Sequence, residues 1–232
     1  VRNEDASVGA KTDYVMAIVQ RTDPKFLRTF SSEIDTVMTG LLAKHENDSS
    51  ALDLAGLWYY NTGRNKQADK CFKKNVTEHP NSMLTAANYV EFLMYAEMWE
   101  ELSSEAMKAF DSFPGEPSFL ELASIAAYNL ERYDQVMEIC DKVLEVAPKD
   151  SSMTLRAWST KGDIYHELGD SKKAYKAYDK ALKINPDYVY VLNNYAYYLS
   201  VEGKNLKKAY EMSKKTIEAE PDNATYLDTF GW

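Results

Sequence analysis

Apolar residues recur along this chain at the three- and four-residue spacing of one helix face, and the helical stretches come in pairs. Residues 158–186 show the pattern most clearly, with one apolar stripe that starts at Trp158 and a second that starts at Ala174. Gly169 interrupts the first stripe, and Pro186 ends the second because proline cannot continue a helix. The pattern therefore predicts a helix, a tight turn and a second helix.

The same unit recurs along the chain at a nearly constant interval. Five prolines mark it, with spacings of 34, 34, 38 and 35 residues: Pro80, Pro114, Pro148, Pro186 and Pro221. A period of this length is typical of repeat proteins, in which each unit packs on its neighbours. The interval of 38 predicts a four-residue insertion at 151–154, and the interval of 35 predicts an enlarged turn at Asn205.

This unit resembles the tetratricopeptide repeat, a 34-residue helix–turn–helix motif, through Trp158, Gly162, Tyr165, Gly169, Ala174, Tyr178, Ala181 and Pro186. Small residues such as Gly162 are expected to let the two helices approach closely. The resemblance implies an all-α fold, a right-handed α-α superhelix (solenoid) of stacked units. It divides residues 49–232 into five repeats and the start of a sixth: 49–82, 83–116, 117–150, 155–188, 189–223 and 224–232.

Two parts of the chain depart from the repeat pattern. Repeat 2 is degenerate, because Val90, Glu97 and Leu102 stand where the motif has small residues. Residues 1–48 lie before the first repeat. There, Asp13–Gln20 is predicted to form a short amphipathic helix, with residues 1–10 frayed.

A second N-terminal helix is predicted to start at Asp23-Pro24 and to continue through about His45. We interpret residues 1–48 as a helical pair that packs on repeat 1.

Composition and charge exclude some classes of function. The chain is 45% hydrophobic and 27% charged, as is usual for a folded protein, and its net charge of −9 argues against a nucleic-acid-binding protein. No stretch has the roughly 20 apolar residues of a membrane span. Cys71 and Cys140 fall two repeats apart, so we expect two buried thiols and no disulfide.

The sequence contains no recognisable catalytic, cofactor or metal motif. There is no HExxH, CxxC, GxGxxG, P-loop or GxSxG pattern. His45 and His79 lie near predicted helix ends. Asp163 and His166 are three residues apart on one helix face, but no further ligand accompanies them. We therefore predict a non-enzymatic protein with no cofactor and no metal.

The resemblance implies a binding groove. In the tetratricopeptide family, the first helices line the concave surface, and positions 2, 5, 9, 12 and 13 of each repeat face it. Tyrosine supplies rigid apolar area with a polar tip, and asparagine can pair with an extended backbone. The resemblance thus implies a peptide or protein partner, held by residues at or next to these positions: Tyr60, Asn61, Glu121, Tyr128, Asn129, Arg156, Asp163, His166, Tyr190, Asn193, Asn194 and Tyr197.

One subtype of the family is excluded. Its members capture the C-terminal carboxylate of chaperones with a clamp of lysine, asparagine and arginine side chains. Asp53 and Leu57 occupy the first two clamp positions here, Asn88 fits the third, and Ser118 and Leu122 occupy the last two. Binding of chaperone tails is therefore not expected.

Three segments, 193–199, 212–216 and 227–232, also resemble tetratricopeptide proteins of Bacteroidetes-type bacteria. That resemblance implies an address in the cell envelope or periplasm. The chain starts at Val1 and stops at Trp232 within a repeat, so we expect a part of a longer protein. Two alternatives to peptide binding stay open: a structural spacer or self-assembly module, and a helical appendage of a protein whose activity lies outside this chain.

Overall fold

The computed structural model describes residues 7–19 and 23–232, and within these residues the chain is helical and has no strand. This confirms the predicted all-α class. The chain divides after Leu130 into two compact units, so that the first eight helices belong to unit 1 and the rest to unit 2. The fourteen helices of the described residues are α1 (Val8–Val19), α2 (Pro24–Thr29), α3 (Ser31–Lys44), α4 (Ser49–Asn61), α5 (Asn65–Glu78), α6 (Met83–Tyr95), α7 (Trp99–Ser112), α8 (Ser118–Asn129), α9 (Tyr133–Val146), α10 (Ser151–Glu167), α11 (Ser171–Ile184), α12 (Val189–Val201), α13 (Leu206–Ala219) and α14 (Ala224–Gly231).

Helices that follow each other in the chain pack on each other within each unit. In unit 1, α4 packs on α5 and α6 packs on α7, while α6 also contacts α4 and α8. In unit 2, α10 packs on α9 and α11, and α12 packs on α13. Each predicted helix–turn–helix unit that lies within a single structural unit is therefore an antiparallel helix pair.

The N-terminal segment forms three helices, whereas the sequence predicts two. α1 begins at Val8, so residues 8–10 are helical where we expected a frayed end; Gln20, the last residue of the predicted helix, lies outside the described residues. Asp23 caps α2 as predicted, because its side chain accepts a hydrogen bond from the Lys25 N–H at 2.9 Å. The helix predicted to continue to His45 is interrupted at Phe30 and resumes as α3.

The interruption at Phe30 has a local cause. Its backbone lies at φ −108° and ψ 13°, outside the helical range, and its ring packs against Phe26 at 4.7 Å. Phe30 is 42% exposed, so its ring lies outside the core. Ser31 follows, and its hydroxyl donates to the Arg28 carbonyl, which offers the backbone an alternative to a continuous helix.

α1 and α3 nevertheless cover repeat 1. Val15 of α1 and Met38 of α3 share one buried cluster with Leu54, Trp58 and Cys71. Burial raises the pKa of the Cys71 thiol to about 11, so this thiol is protonated at neutral pH. Cys140 is also buried, and both cysteines are free, as predicted.

A carboxylate on α3 ties this cover to the turn of repeat 1. The Trp58 indole N–H donates to Asp35 at 2.6 Å, and the Arg64 guanidinium donates to both oxygens of Asp35 at 2.7 and 2.9 Å. The hydrogen bonds from Arg64 lower the pKa of Asp35 below its ordinary value. A bidentate pair of this kind fixes orientation as well as distance.

The turn inside each repeat contains one residue with a left-handed backbone, always at the same repeat position. These residues are Gly63, Glu97, Glu131, Gly169 and Gly203, with φ between 55° and 76°. Glycine adopts this conformation without steric cost, whereas a residue with a Cβ is strained there by about 1 kcal/mol. In repeat 5 the extra residue of the enlarged turn, Asn205, is left-handed as well, with φ 46°.

Small residues on the first helix allow a ring on the second helix to approach, as predicted for Gly162. A Cβ placed on Gly162 would lie 2.3 Å from Cε1 of Tyr178, and one placed on Gly56 would lie 2.7 Å from the Phe72 ring. Both rings are fully buried. The two helices of repeats 1 and 4 are therefore as close as they are because no side chain separates them.

Repeat 2 achieves the same fit with the sizes exchanged. Val90 takes the position of Gly56 and Gly162, and Ala106 takes the position of the rings of Phe72 and Tyr178. Val90 and Ala106 are both buried. The substitution at Val90 that makes this repeat look degenerate is therefore compensated in volume on the second helix.

The four inserted residues 151–154 lengthen a helix. α10 spans 17 residues, whereas α4, α6, α8 and α12 span 12 or 13. Asp150 caps α10, accepting a hydrogen bond from the Met153 N–H at 2.9 Å. The insertion therefore adds about one helical turn to the start of repeat 4.

The close approach at Gly162 predicts a large effect of a single methyl group. We expect Gly162→Ala to lower the free energy of unfolding by about 2 kcal/mol, because the buried Tyr178 ring has no room to move. Gly40→Ala is the control: it lies within α3 with nothing within 4 Å of its Cβ position, so it should stabilise by roughly 0.5–1 kcal/mol. Urea unfolding of both variants measures the difference, and equal effects would contradict the packing described here.

The strained turn at Glu97 predicts a stabilising substitution. We expect Glu97→Gly to raise the free energy of unfolding by roughly 0.5–1 kcal/mol, since glycine relieves the left-handed strain. Ala96→Gly changes the neighbouring residue, whose φ is −83°, and should instead destabilise the protein. The two variants are compared by urea unfolding, and a loss of stability in both would show that Glu97 is not strained.

Candidate functional site

The first helices of unit 1 form a continuous surface. α4 lies next to α6, and α6 lies next to α8. We call the surface of these three helices the first-helix face of unit 1. Large apolar side chains on these helices are between 37% and 66% exposed: Leu57, Leu84, Tyr95, Ile125 and Tyr128. Several such side chains on neighbouring helices mark a surface that gains free energy when another molecule covers it.

A pocket of about 310 Å³ opens between α6 and α8 on this face. Most of its lining is apolar: Met83, Ala87, Val90, Met94, Phe119 and Leu122. The polar lining residues are Glu91, Glu116 and Ser118, and no basic side chain lines the pocket. The sequence predicts no binding residue in repeat 2, so it does not reveal this pocket. The signal that could have indicated it is the pair of apolar residues at the start of α6, Met83 and Leu84, which are both exposed.

The predicted binding residues of repeat 1 have different environments. Tyr60 is half-buried, lies edge-on to Phe92 at 5.7 Å, and donates its hydroxyl to the Tyr95 carbonyl at 3.3 Å. It therefore ties α4 to α6. Asn61, at the end of α4, is exposed.

The predicted residues of repeat 3 all lie on α8. Tyr128 is 46% exposed and Glu121 is half-buried. The Asn129 side chain is exposed but donates to the Ile125 carbonyl at 2.9 Å, so it satisfies the end of its own helix. Of these three residues, Tyr128 presents the largest apolar area.

In unit 2, Asp163 is the centre of a hydrogen-bond network. Its carboxylate accepts from the Tyr178 hydroxyl at 2.6 Å, from the Tyr190 hydroxyl at 2.8 Å and from Asn194 Nδ2 at 3.1 Å. Asp163 lies on α10, Tyr178 on α11, and the other two on α12. One side chain thus joins three helices of two successive repeats.

This network changes the interpretation of Asp163. The sequence predicts that Asp163 lies in the open groove, but its side chain is buried. Burial raises the pKa of Asp163 above the ordinary value of 3.8, even though the hydrogen bonds from the three donors oppose that shift. Asp163 does not offer its oxygens to a ligand. It holds Tyr190, which is 45% exposed, in one orientation.

His166 and Tyr197 extend this cluster. The His166 ring of α10 stacks on the Tyr198 ring of α12 with an interplanar angle of 15°, and Tyr197 lies edge-on to Tyr198 at 5.6 Å. Tyr197 is 37% exposed. We call the aromatic side chains of His166, Tyr190, Tyr197 and Tyr198 the aromatic cluster of unit 2.

Two further predicted residues of unit 2 lie outside that cluster. Asn193 is buried, which corrects its predicted place in the groove, and its Nδ2 donates to the Asn194 Oδ1 at 3.4 Å. Asn193 and Asn194 are adjacent on α12, so their side chains point in directions about 100° apart. Asn194 is the one that contacts α10, through Asp163. Arg156 is exposed, and its guanidinium donates to the Ser152 hydroxyl at 2.5 Å.

A second network, which the sequence does not predict, lies in unit 1 around a half-buried carboxylate. Asp53 of α4 accepts from Asn75 Nδ2 at 2.6 Å and from Asn88 Nδ2 at 2.8 Å. Burial raises its pKa as well. Asn88 and Asn194 stand at the same position of repeats 2 and 5, and each bonds to an acidic residue on the first helix of the preceding repeat. An asparagine at this position after an acidic first helix is the signal that could have revealed both networks.

The described residues contain no group of three or more histidine, cysteine or acidic side chains that could hold a metal ion. Among the helices the structure describes, none is long and apolar enough to cross a membrane.

Family models identify the repeat. Models described as tetratricopeptide repeat match residues 50–82, 155–188 and 177–211. The chain is a tetratricopeptide repeat protein. The first two matches agree with the predicted repeats 1 and 4, whose Gly56 and Gly162 make the closest approaches. As a protein of this family, it has the general character of a scaffold for protein–protein interaction.

Known proteins are similar to parts of this chain. The human protein O-mannosyl-transferase TMTC1 is 24% identical over 169 residues, which are 72% of this chain and 19% of that protein. The TPR repeat-containing protein MJ1428 of Methanocaldococcus jannaschii is 34% identical over 107 residues, 45% of this chain and 17% of the relative. The chain thus spans about a fifth of the length of these relatives.

Solved structures confirm the fold class, an α-α solenoid of helix pairs. The crystal structure of YrrB, a TPR protein, has a TM-score of 0.60 and is 15% identical to this chain. The similarity covers 84% of this chain and 98% of YrrB. The Bacteroidetes resemblance and the envelope address stay predictions.

The raised pKa of Asp163 predicts a pH-dependent stability difference. In the folded protein this carboxyl keeps its proton at pH values above 3.8 where the unfolded chain has lost it. Relative to Asp163→Asn, which does not titrate, the wild type should therefore gain stability as the pH falls towards 3.8 and lose it as the pH rises.

Urea unfolding of wild type and Asp163→Asn between pH 7 and pH 4 measures that difference. Titration of all other groups is common to both proteins and cancels. If the wild type instead loses stability relative to Asp163→Asn as the pH falls, the three donors outweigh burial.

Proposed function

We propose that this tetratricopeptide repeat protein binds a peptide or protein segment along its first helices. The observation that carries the proposal is the row of exposed apolar side chains on α4, α6 and α8, with the pocket of about 310 Å³ between α6 and α8. Pockets that combine a mostly apolar lining with a few polar groups are typical of ligand sites. Leu84, 66% exposed at the start of α6, is the most accessible apolar residue of the face.

The aromatic cluster of unit 2 supports a second contact region. Tyr190 and Tyr197 each expose more than a third of their surface. The Tyr190 hydroxyl is fixed by its hydrogen bond to Asp163, and the Tyr197 ring packs edge-on against Tyr198. A ring that is already fixed loses little conformational entropy when a ligand covers it. These two tyrosines are therefore suited to contacting a peptide.

A relative in structure is consistent with this role. YrrB is described as a TPR protein with an unusual peptide-binding site. At 15% identity the comparison concerns the fold, so the residues that bind in this chain are argued from its own exposed side chains. We propose Leu84, Ile125 and Tyr128 in unit 1 and Tyr190 and Tyr197 in unit 2.

We further propose that the chain itself performs no catalysis. Its conspicuous carboxylates, Asp53 and Asp163, are engaged in hydrogen bonds that hold helices together. The human relative is named a transferase, but the alignment covers 19% of it. This small share suggests a second candidate role, which we also propose: the repeats are the recruiting appendage of a longer protein, a role that likewise requires a binding face.

Panning a phage-displayed library of random 12-residue peptides on the whole chain tests the proposed function. We expect enriched peptides, and we expect Leu84→Asp to weaken their binding at least tenfold, because a charge in the apolar face must be desolvated. The dissociation constants are measured by fluorescence anisotropy. Tyr197→Ala should weaken those peptides that reach unit 2 by a smaller factor.

Leu168→Asp is the matched control. Leu168 is 57% exposed, but it lies in the turn after α10 in unit 2, outside the first-helix face of unit 1. It should leave peptide binding unchanged. If no peptide is enriched, or if Leu84→Asp binds as well as wild type, the first-helix face of unit 1 is not the binding site; light scattering then decides whether a second copy of the chain covers it.

A further inference from the structure

The negative charge of this protein is concentrated in one segment. Residues 83–130 hold one basic residue, Lys108, and eight acidic ones: Glu91, Glu97, Glu100, Glu101, Glu105, Asp111, Glu116 and Glu121. Their formal charge of −7 makes up most of the −9 of the whole chain. Residues 1–82 are neutral, with eleven acidic and eleven basic residues. The segment 83–130 comprises α6, α7 and α8, so it contains the two helices that enclose the pocket.

Two of these carboxylates lie at the pocket itself. Glu91 is on α6, is exposed, and lines the pocket together with Glu116, which precedes α8. Glu116 accepts a hydrogen bond from the Ser118 hydroxyl at 2.7 Å, which leaves its negative charge in place. The apolar lining of the pocket is thus bordered by two negative charges.

The one cation of the segment does not neutralise this border. Lys108 lies on α7 and pairs with Glu105 of the same helix at 2.8 Å. That pair is on the second helix of repeat 2, whereas the pocket is between first helices. Charges on opposite sides of a helix pair are about a Debye length apart, so Lys108 contributes little at the pocket in physiological salt.

From this arrangement we propose that the pocket between α6 and α8 binds a basic, apolar segment of a partner protein. An aliphatic or aromatic side chain would fill the pocket among Met83, Met94 and Leu122, and lysine or arginine residues next to it in sequence would pair with Glu91 and Glu116. The proposal rests on the proposed function, and it names the chemistry of the partner. Complementary charge favours such a segment over acidic competitors and speeds its association.

The charge distribution argues against the other classes of ligand. An acidic peptide or a nucleic acid would bring its negative charges next to Glu91 and Glu116, and like charges at an interface cost binding free energy. An uncharged apolar peptide would gain from the pocket but not from its border. A basic apolar segment uses both features of the site.

Two charge-reversal variants in one repeat test the inference. Glu91→Lys changes the border of the pocket, and Glu101→Lys makes the same change in net charge on α7, where the residue is exposed. Peptides enriched from the random 12-residue library on the wild-type chain are measured on both variants by fluorescence anisotropy at 50 and 500 mM NaCl.

We expect the enriched peptides to carry lysine or arginine beside leucine, methionine, phenylalanine or tyrosine. Glu91→Lys should weaken them roughly fivefold to tenfold at low salt, because one attraction is replaced by one repulsion, and Glu101→Lys should weaken them less than twofold. High salt should reduce the gap between the two variants.

The outcomes separate this inference from the proposed function. If Leu84→Asp abolishes binding but the enriched peptides are acidic or uncharged, or if Glu91→Lys and Glu101→Lys have equal effects, the basic partner is wrong and the binding face stands. If Leu84→Asp also leaves binding unchanged, the face does not bind peptides and both proposals are overturned.

Discussion

The close approach of two helices within a repeat is the constraint on which this structure depends. At Gly162 and Gly56 no side chain separates the helices, and the rings of Tyr178 and Phe72 fill the space against the bare backbone. A helix pair of this size cannot bury its apolar surface alone, so the packed rings also contact the first helix of the next repeat. In unit 2, Tyr178 shares a buried cluster with Tyr195 and Leu199 of α12, the first helix of the following repeat.

Two carboxylates, Asp163 buried and Asp53 half-buried, reinforce that stacking with directional bonds. Asp163 joins α10 to α11 and α12, and Asp53 joins α4 to α5 and α6. Removing a carboxylate from water costs free energy, and hydrogen bonds to several donors offset that cost only when all donors are in place. The networks therefore specify how one repeat sits on the next, and in unit 2 the same bonds orient Tyr190 at the surface.

The surface of the first helices follows from this interior. Each first helix packs one side against its own partner helix and another against the neighbouring repeat, so a third side remains at the surface. In unit 1 that side bears Leu84, Ile125 and Tyr128, and between α6 and α8 it bears the pocket bordered by Glu91 and Glu116. Apolar area there supplies binding free energy, and the carboxylates supply a preference among partners.

The helix pairs, their period and the small residues that let them approach can all be predicted from the sequence, because they depend on neighbouring residues and on spacing. The sequence also located the insertion at 151–154 and the enlarged turn at Asn205. It did not reveal the break at Phe30, because the choice between a continuous helix and a bend depends on where the Phe30 ring packs. The exchange of sizes at Val90 and Ala106 was equally hidden, since it pairs residues on different helices.

At the candidate site, the solvent exposure of each predicted binding residue depends on the tertiary structure. Asp163 and Asn193 occupy positions that the family directs to the groove, yet both are buried, because their burial is set by donors and neighbours on adjacent helices rather than by their place in the repeat. Tyr128, Tyr190 and Tyr197 are exposed as the sequence predicted. The pocket is formed by two helices, and its nearest lining residues on the two sides, Met94 and Glu116, are 22 residues apart in the sequence, so no local pattern could reveal it.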